Sequence, residues 1–355
     1  TLISLTKTTQ TLLTHFQSSL LPPTQTSSSS SSPPPTESPL ATITTTTTLL
    51  KSHTTTLSLL LLTPPLTPSA LISKIGDVSS GALSSMVSAA STSPPHNAPD
   101  ALGQVMRAEL RASARRVLGA WGEVLGVVVQ MAERRQGKED GEREAASEVE
   151  RKEVLGATGV VWEACDAQLR VCGEGVVGLV VRRAEEWRAV LLDAVEELRE
   201  WGEEEEGSGE EEEEVRSGGE EDEDEVFGAP NKLGKGDEGL RVLLEKGVKR
   251  LKMVGMLYQA LIKRRLKTFP KGGKEGEGDA MKTLDQLMAL LRSIPESVDD
   301  LASAFYDLDE DEAKKTLDST CGEAKTAVGL VKQNWAGKDD EFTAWSTKWV
   351  DALDA

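Results

Sequence analysis

From Val161 to Trp201 the side chains at steps of three or four residues are almost all apolar. They are Val161, Cys165, Leu169, Cys172, Val176, Leu179, Trp187, Leu191, Val195, Leu198 and Trp201, with Arg183 the one charged step. A period near 3.6 gathers them on one side of an α-helix and scatters them over both faces of a strand. The spacing predicts a helix of about forty residues. A helix with one long apolar stripe is stable only when that stripe is covered, so the chain must supply other helices to pack on it. Gly173, Gly175 and Gly178 weaken its middle by about 1 kcal/mol each relative to Ala, marking close helix packing or a bend.

The same period recurs along the chain. Leu2, Leu5, Leu12, Leu13, Phe16 and Leu20 predict a first helix, without the basic start or long apolar core of a secretory signal. A Ser/Thr/Pro tract, residues 22–39, reads as a disordered loop. Ile43, Leu50, Leu57 and Leu61 predict a second helix despite many β-branched Thr. Thr67-Pro68 then opens a third, running to about Ala90. Leu102 to Val128 predicts a long amphipathic helix with Arg107, Arg111, Arg115 and Arg116 on its outer face. Leu240 to Leu261 predicts another, ending in Lys263, Arg264, Arg265 and Lys267. Those cations suit a helix C-terminus; the alternatives are a nuclear-import patch or a contact for the chain's own acidic run. Leu284 to Phe305 is periodic but carries Pro295, so two helices are expected, the second N-capped by Ser293. Leu317 to Trp335 and Phe342 to Leu353 complete the set. No stretch alternates like a strand. The expected class is all-α: about nine helices in two antiparallel bundles joined by a disordered acidic linker.

Charge fixes where that linker falls. Residues Glu203–Glu225 hold fifteen acidic side chains and one basic, Arg216, which leaves the remainder at −5 of the total −19. Like charges in a block repel, and the Gly and Ser interruptions favour a flexible spacer over a helix. The expected organisation is a bundle over 1–202, a linker over 203–234 and a bundle over 235–355. Glu203, Glu211, Glu221 and Asp224 mark the acidic loop, a contact for basic partners such as histone tails or import factors if it binds anything. Net acidity argues against backbone binding to nucleic acid. The longest aliphatic run, Leu59–Leu62, is too short for a membrane span.

The residues of catalysis are missing as patterns. No phosphate-cradling Gly motif follows a strand. His15, His53 and His96 have no neighbouring His or Cys at a metal-ligand spacing. Cys165 and Cys172 share a helix face but lie about 10.5 Å apart along its axis, too far for a disulfide; they read as core thiols. Acid pairs such as Asp299-Asp300 are too abundant to single out. The Asp309–Glu312 run suits a helix N-terminus and lacks the loop of a calcium site. The expectation is a non-enzyme with no cofactor and no metal.

Three segments resemble one family. They are VVWEACDAQL (Val160–Leu169) before a long helix and an acidic break, SIPESVDDLASAFYD (Ser293–Asp307), and TTTLSLLLLTPPLTPSAL (Thr54–Leu71). Their order over nearly the whole chain resembles the cyclin-D-binding proteins, also called cyclin-D-interacting or maternal Id-like proteins. The Ser/Thr bias and long inserts point to a fungal member. The resemblance implies two bundles in the style of vinculin and catenin, and a regulator of cell cycle or transcription in nucleus and cytoplasm. Its implied partners are proteins of the cyclin or helix-loop-helix type, with no direct nucleic-acid or membrane binding. Expected anchors for a partner helix are Val161, Leu169, Trp187 and Leu191 on the first stripe, and Leu284, Leu291, Val298, Leu301 and Phe305 on the second. These positions serve as anchors only if they stay exposed; otherwise they are core. The other readings are a vinculin-like cytoskeletal adaptor and an acidic chaperone for basic nuclear proteins.

Overall fold

A computed structural model describes residues 1–21, 38–64, 66–92, 100–136, 146–203, 233–234, 236–270 and 277–355. The Ser/Pro tract and the acidic run, with Glu211, Glu221 and Asp224, lie outside them, as does His96. Among the described residues the structure is all-α, without strands. The helices are α1 (Leu2–Ser19), α2 (Pro39–Leu62), α3 (Pro68–Asp77), α4 (Ser84–Ser91), α5 (Gly103–Arg135), α6 (Glu148–Glu203), α7 (Glu238–Leu261), α8 (Glu277–Tyr306), α9 (Glu310–Leu330) and α10 (Glu341–Asp354). A π-helical stretch, Val78–Leu83, links α3 to α4, and another, Ile262–Leu266, ends α7.

Contacts divide the chain into two compact units, Thr1–Leu179 and Val180–Ala355. Helix α6 contributes to both. Its axis is interrupted at Gly175, where φ is 62° and ψ is −169°. That conformation is close to glycine-only, and a Cβ there would meet nothing within 4 Å. Gly175 therefore marks a bend rather than a close packing contact.

In the first unit, α1 lies antiparallel to α5. Lys7 pairs with Glu133 at 2.8 Å, and the Leu13 side chain abuts Gly122. Helix α2 lies antiparallel to the first half of α6, through Thr47 with Gln168 (2.9 Å) and Lys51 with Asp166 (2.6 Å). Threonine-rich α2 is helical for two reasons. Ile43, Leu50, Leu57 and Leu61 are buried, which outweighs weak propensity. The threonine hydroxyls also donate to carbonyls four residues back, as Thr54 does to Leu50, so their polarity is satisfied inside the helix.

The second unit contains Val180–Glu203 of α6 with α7 to α10. Contrary to the expectation of two helices around Pro295, α8 passes through it unbroken. Proline removes the N–H that would bond the carbonyl of Leu291. The buried Tyr258 hydroxyl donates to that same carbonyl at 2.5 Å, so the break is repaired from α7. Ser293 is consequently no cap: its hydroxyl donates to Leu290 O and to Glu323. Helix α9 also stops short of Trp335, whose indole N–H instead donates to Arg265 O at 2.8 Å. Asp309 caps α9, accepting from the Glu312 N–H, as the acidic run there suggested.

The basic end of α7 is not uniformly a surface patch. Arg265 is fully buried. It forms a paired contact with Asp340 (2.8 and 3.0 Å), donates to Val331 O (2.6 Å) and Lys332 O (3.0 Å), and lies 4.3 Å from the Phe342 ring centroid. Asp340 in turn caps α10 in a reciprocal box with Thr343. The Arg265 hydrogen bond holds the Asp340 carboxyl down at about 2, against the opposing effect of desolvation. Arg265 thus serves as a tie between α7, the end of α9 and the start of α10.

Candidate protein-interaction face

The first half of α6 has two very different sides. Glu150, Val154, Thr158, Val161, Cys165 and Gln168 form the buried line. Opposite them run two exposed ridges at helical steps: Val149, Gly156, Val160 and Glu163 on one, and Leu155, Gly159, Trp162 and Asp166 on the other. Val149 is 62% exposed, Leu155 58%, Val160 51% and Trp162 40%. Cβ atoms added at Gly156 or Gly159 would meet nothing within 4 Å. The result is a mixed exposed side, with Leu155 and Trp162 along one flank, Val149 and Val160 along the other, and Lys152, Gly156, Gly159 and Glu163 between them; the two glycines leave a shallow notch where another backbone can approach.

Neighbouring elements fix that face in place. At the entry to α6, Ser147 and Glu150 form a reciprocal cap: Ser147 N–H donates to Glu150 and Glu150 N–H to the serine hydroxyl. Arg135 from the end of α5 grips the Glu150 carboxylate through both oxygens, at 2.8 and 2.9 Å. Burial pushes the Glu150 carboxyl up, but Arg135 and the Ser147 N–H outweigh it and hold it below its usual range. Further along, the Lys51 ammonium lies 6.0 Å from the Trp162 ring centroid while pairing with Asp166. That arrangement limits the indole's freedom without covering its outer side. Burial raises the Cys165 thiol to about 12, which makes it an inert core group.

The residues expected as anchors fall elsewhere. Val161, Leu191, Leu284, Leu291, Val298, Leu301 and Phe305 are buried in the core of their units. They cannot meet a partner while those units are folded, and their apolar stripes are used for helix packing. Leu169 and Trp187 are half-buried. Glu203 ends α6, exposed and bridged to Arg199 at 2.5 Å. The sequence carries a signal for the exposed α6 positions. Val160 and Trp162 flank the buried Val161, so a chain segment apolar at three consecutive positions has more apolar surface than one helix side can bury.

Residues 42–204, from α2 to the end of α6, match the sequence model of the N-terminal domain of Grap2 and cyclin-D-interacting proteins. That stretch is similar to the family's N-terminal domain. The matched stretch contains both the α6 face and the elements that position it. An uncharacterized protein of Schizosaccharomyces pombe is 22% identical over 195 residues, which is 55% of this chain. The chain spans about half the length of that curated relative, 52%. Among the described residues, no helix is long and apolar enough to cross a membrane. Nor do they hold a group of three or more His, Cys, Asp or Glu suited to a metal ion.

Proposed function

We propose that this protein is a non-enzymatic protein-interaction regulator of the cell cycle or of transcription, acting in nucleus and cytoplasm. In this reading, the outer face of α6 docks a helix of the partner. The observation that carries it is the exposure of Leu155, Val160 and Trp162 around Gly156 and Gly159, within the matched stretch. Apolar surface held rigidly in water favours association, and glycines on the face permit close helix approach. Partners of the cyclin type follow from the family's description as cyclin-D-interacting. We read the two units as helical bundles of the vinculin and catenin style.

The test is direct titration of a purified D-type cyclin into the full chain, with Val160→Asp and Leu155→Asp as comparisons. Saturable binding weakened at least tenfold by either substitution is the expected result. Placing a charge in a desolvated contact costs more than the ~1.4 kcal/mol that a tenfold change represents. Absence of binding by the intact chain would remove the cyclin assignment, and binding unaffected by both substitutions would remove the α6 face.

A further inference from the structure

The outward side of α7 is basic and lacks local partners. Val242, Lys249, Met256 and Lys263 follow one another at steps of seven, with Lys246 and Lys252 between them. All six are exposed, Val242 at 61% and Met256 at 55%. Among the described residues none of these four lysines forms an ion pair. The acids nearby are few. Glu245 is on the same side of α7, and Glu196 of α6 interacts weakly with Lys252 but is already bound by Arg199 at 2.6 Å. The face is thus a row of unneutralised ammonium groups with two apolar side chains set among them. Its complement is an acidic segment that brings apolar groups of its own.

The chain contains such a segment, tethered beside this face. Glu203–Glu225 holds fifteen acidic residues and one arginine, followed directly by Val226 and Phe227. Gly202, the residue before it, packs against the Leu244 side chain of α7. Beyond it, Leu233 is buried, and Asp237 stands at the N-cap position of α7, where its carboxylate accepts from the Gly234 N–H at 2.9 Å. Both ends of the run are therefore held at the N-terminal end of α7. From the level of Leu244 to Lys263 is about 28 Å along a helix axis, a span that about ten extended residues cover. Tethering at this distance gives an effective concentration on the order of millimolar, and unlike charges gain most at low ionic strength.

We propose that the acidic run docks in cis on the lysine face of α7, neutralising Lys246, Lys249, Lys252 and Lys263 and shielding Val242 and Met256. The consequence is self-inhibition: a basic face closed to other acidic proteins until salt or a basic competitor draws the run away. This surface belongs to the second unit and does not depend on the α6 face.

Zero-length carbodiimide cross-linking of the full chain tests it, since an amide forms, with loss of water, only where a carboxylate meets an amine. The expected cross-links join Glu203–Glu225 to Lys246, Lys249, Lys252 and Lys263. They should outnumber those to Lys314 and Lys315 at least fivefold and fade at 1 M salt. Lys314 and Lys315 are the control because α9 starts beside Gly239, against the Glu310 carboxylate, near the tether but on another helix; Lys314 is the stricter one, since Lys315 is held by Glu312 at 2.9 Å. Equal yields at the two sets would show a tethered segment without a docking site and would overturn the proposal. Cross-links that form only between copies, rising with protein concentration, would overturn docking in cis. A second measurement compares lysine acetylation by an N-hydroxysuccinimide ester in the intact chain and in one with the acids of 204–225 changed to Gln or Asn. Several-fold faster acetylation of Lys249 and Lys263 in the neutralised chain, with Lys314 unchanged, is expected. Unchanged rates at Lys249 and Lys263 would contradict it.

Discussion

Replacing Tyr258 by Phe removes one oxygen atom from the core and tests how α8 tolerates Pro295. The ring remains packed, since Tyr258 is fully buried and its aromatic surface is kept. The Leu291 carbonyl loses the hydroxyl that bonds it at 2.5 Å and has no backbone donor, because residue 295 is proline. A buried carbonyl left without a donor costs about 1–3 kcal/mol. For a unit of this size, 2 kcal/mol corresponds to a fall in Tm of about 4–8 °C. Pro295→Ala supplies the missing N–H. In that background the Tyr258→Phe cost should shrink to less than about 1 kcal/mol, because Leu291 keeps a donor. The assay is a double-mutant cycle by calorimetry or denaturant unfolding on the full chain, and the coupling should be about 1 kcal/mol or more. Equal costs of Tyr258→Phe in the two backgrounds would refute the repair of α8 by α7.

Further outcomes follow from other residues. Arg265→Met should destabilise the second unit by about 1–3 kcal/mol, because the Val331 and Lys332 carbonyls lose their donor while Asp340, 31% exposed, is partly solvated, and Arg265→Lys should restore little because it lacks the planar fork; unfolding midpoints check both. Asp340 is depressed to about 2 when folded, so its stabilising contribution is full above pH ~4 and lost as pH falls through ~2. Asp340→Asn should flatten that acid limb of the stability profile. Gly175→Ala forces a side chain into φ 62°, ψ −169° and should cost about 1–3 kcal/mol, visible as a lowered Tm with helical content retained.

Helix periodicity made most of the fold legible, because each stripe of apolar residues needed a partner helix and found one. Two things escaped it. Local rules place a boundary between two helices at Pro295, because the donor that rescues Leu291, Tyr258, lies 33 residues away in sequence. Most of the expected anchors fall in the core, while exposed apolar positions lie one residue step away. The strongest apolar stripe, through Val161 and Leu191, is strong because it is core. Weaker apolar positions such as Val160 and Trp162 remain for solvent. The bend at Gly175 was legible as a glycine cluster, although which glycine takes the positive φ depends on the packing around it. The basic end of α7 divided in a way composition does not reveal: Arg265 turned inward to Asp340, while Lys263 stayed outside.

On the proposed reading, the exposed side of α6 carries the protein's interactions. Quantitative affinity capture from nuclear and cytoplasmic extracts tests it most directly. The bait is the intact chain beside Val160→Asp and a control substitution on a remote exposed helix position, Lys314→Glu. A group of cell-cycle or transcription regulators should be retained by the intact chain and by Lys314→Glu and lost with Val160→Asp. Identical captured sets for all three chains would contradict it.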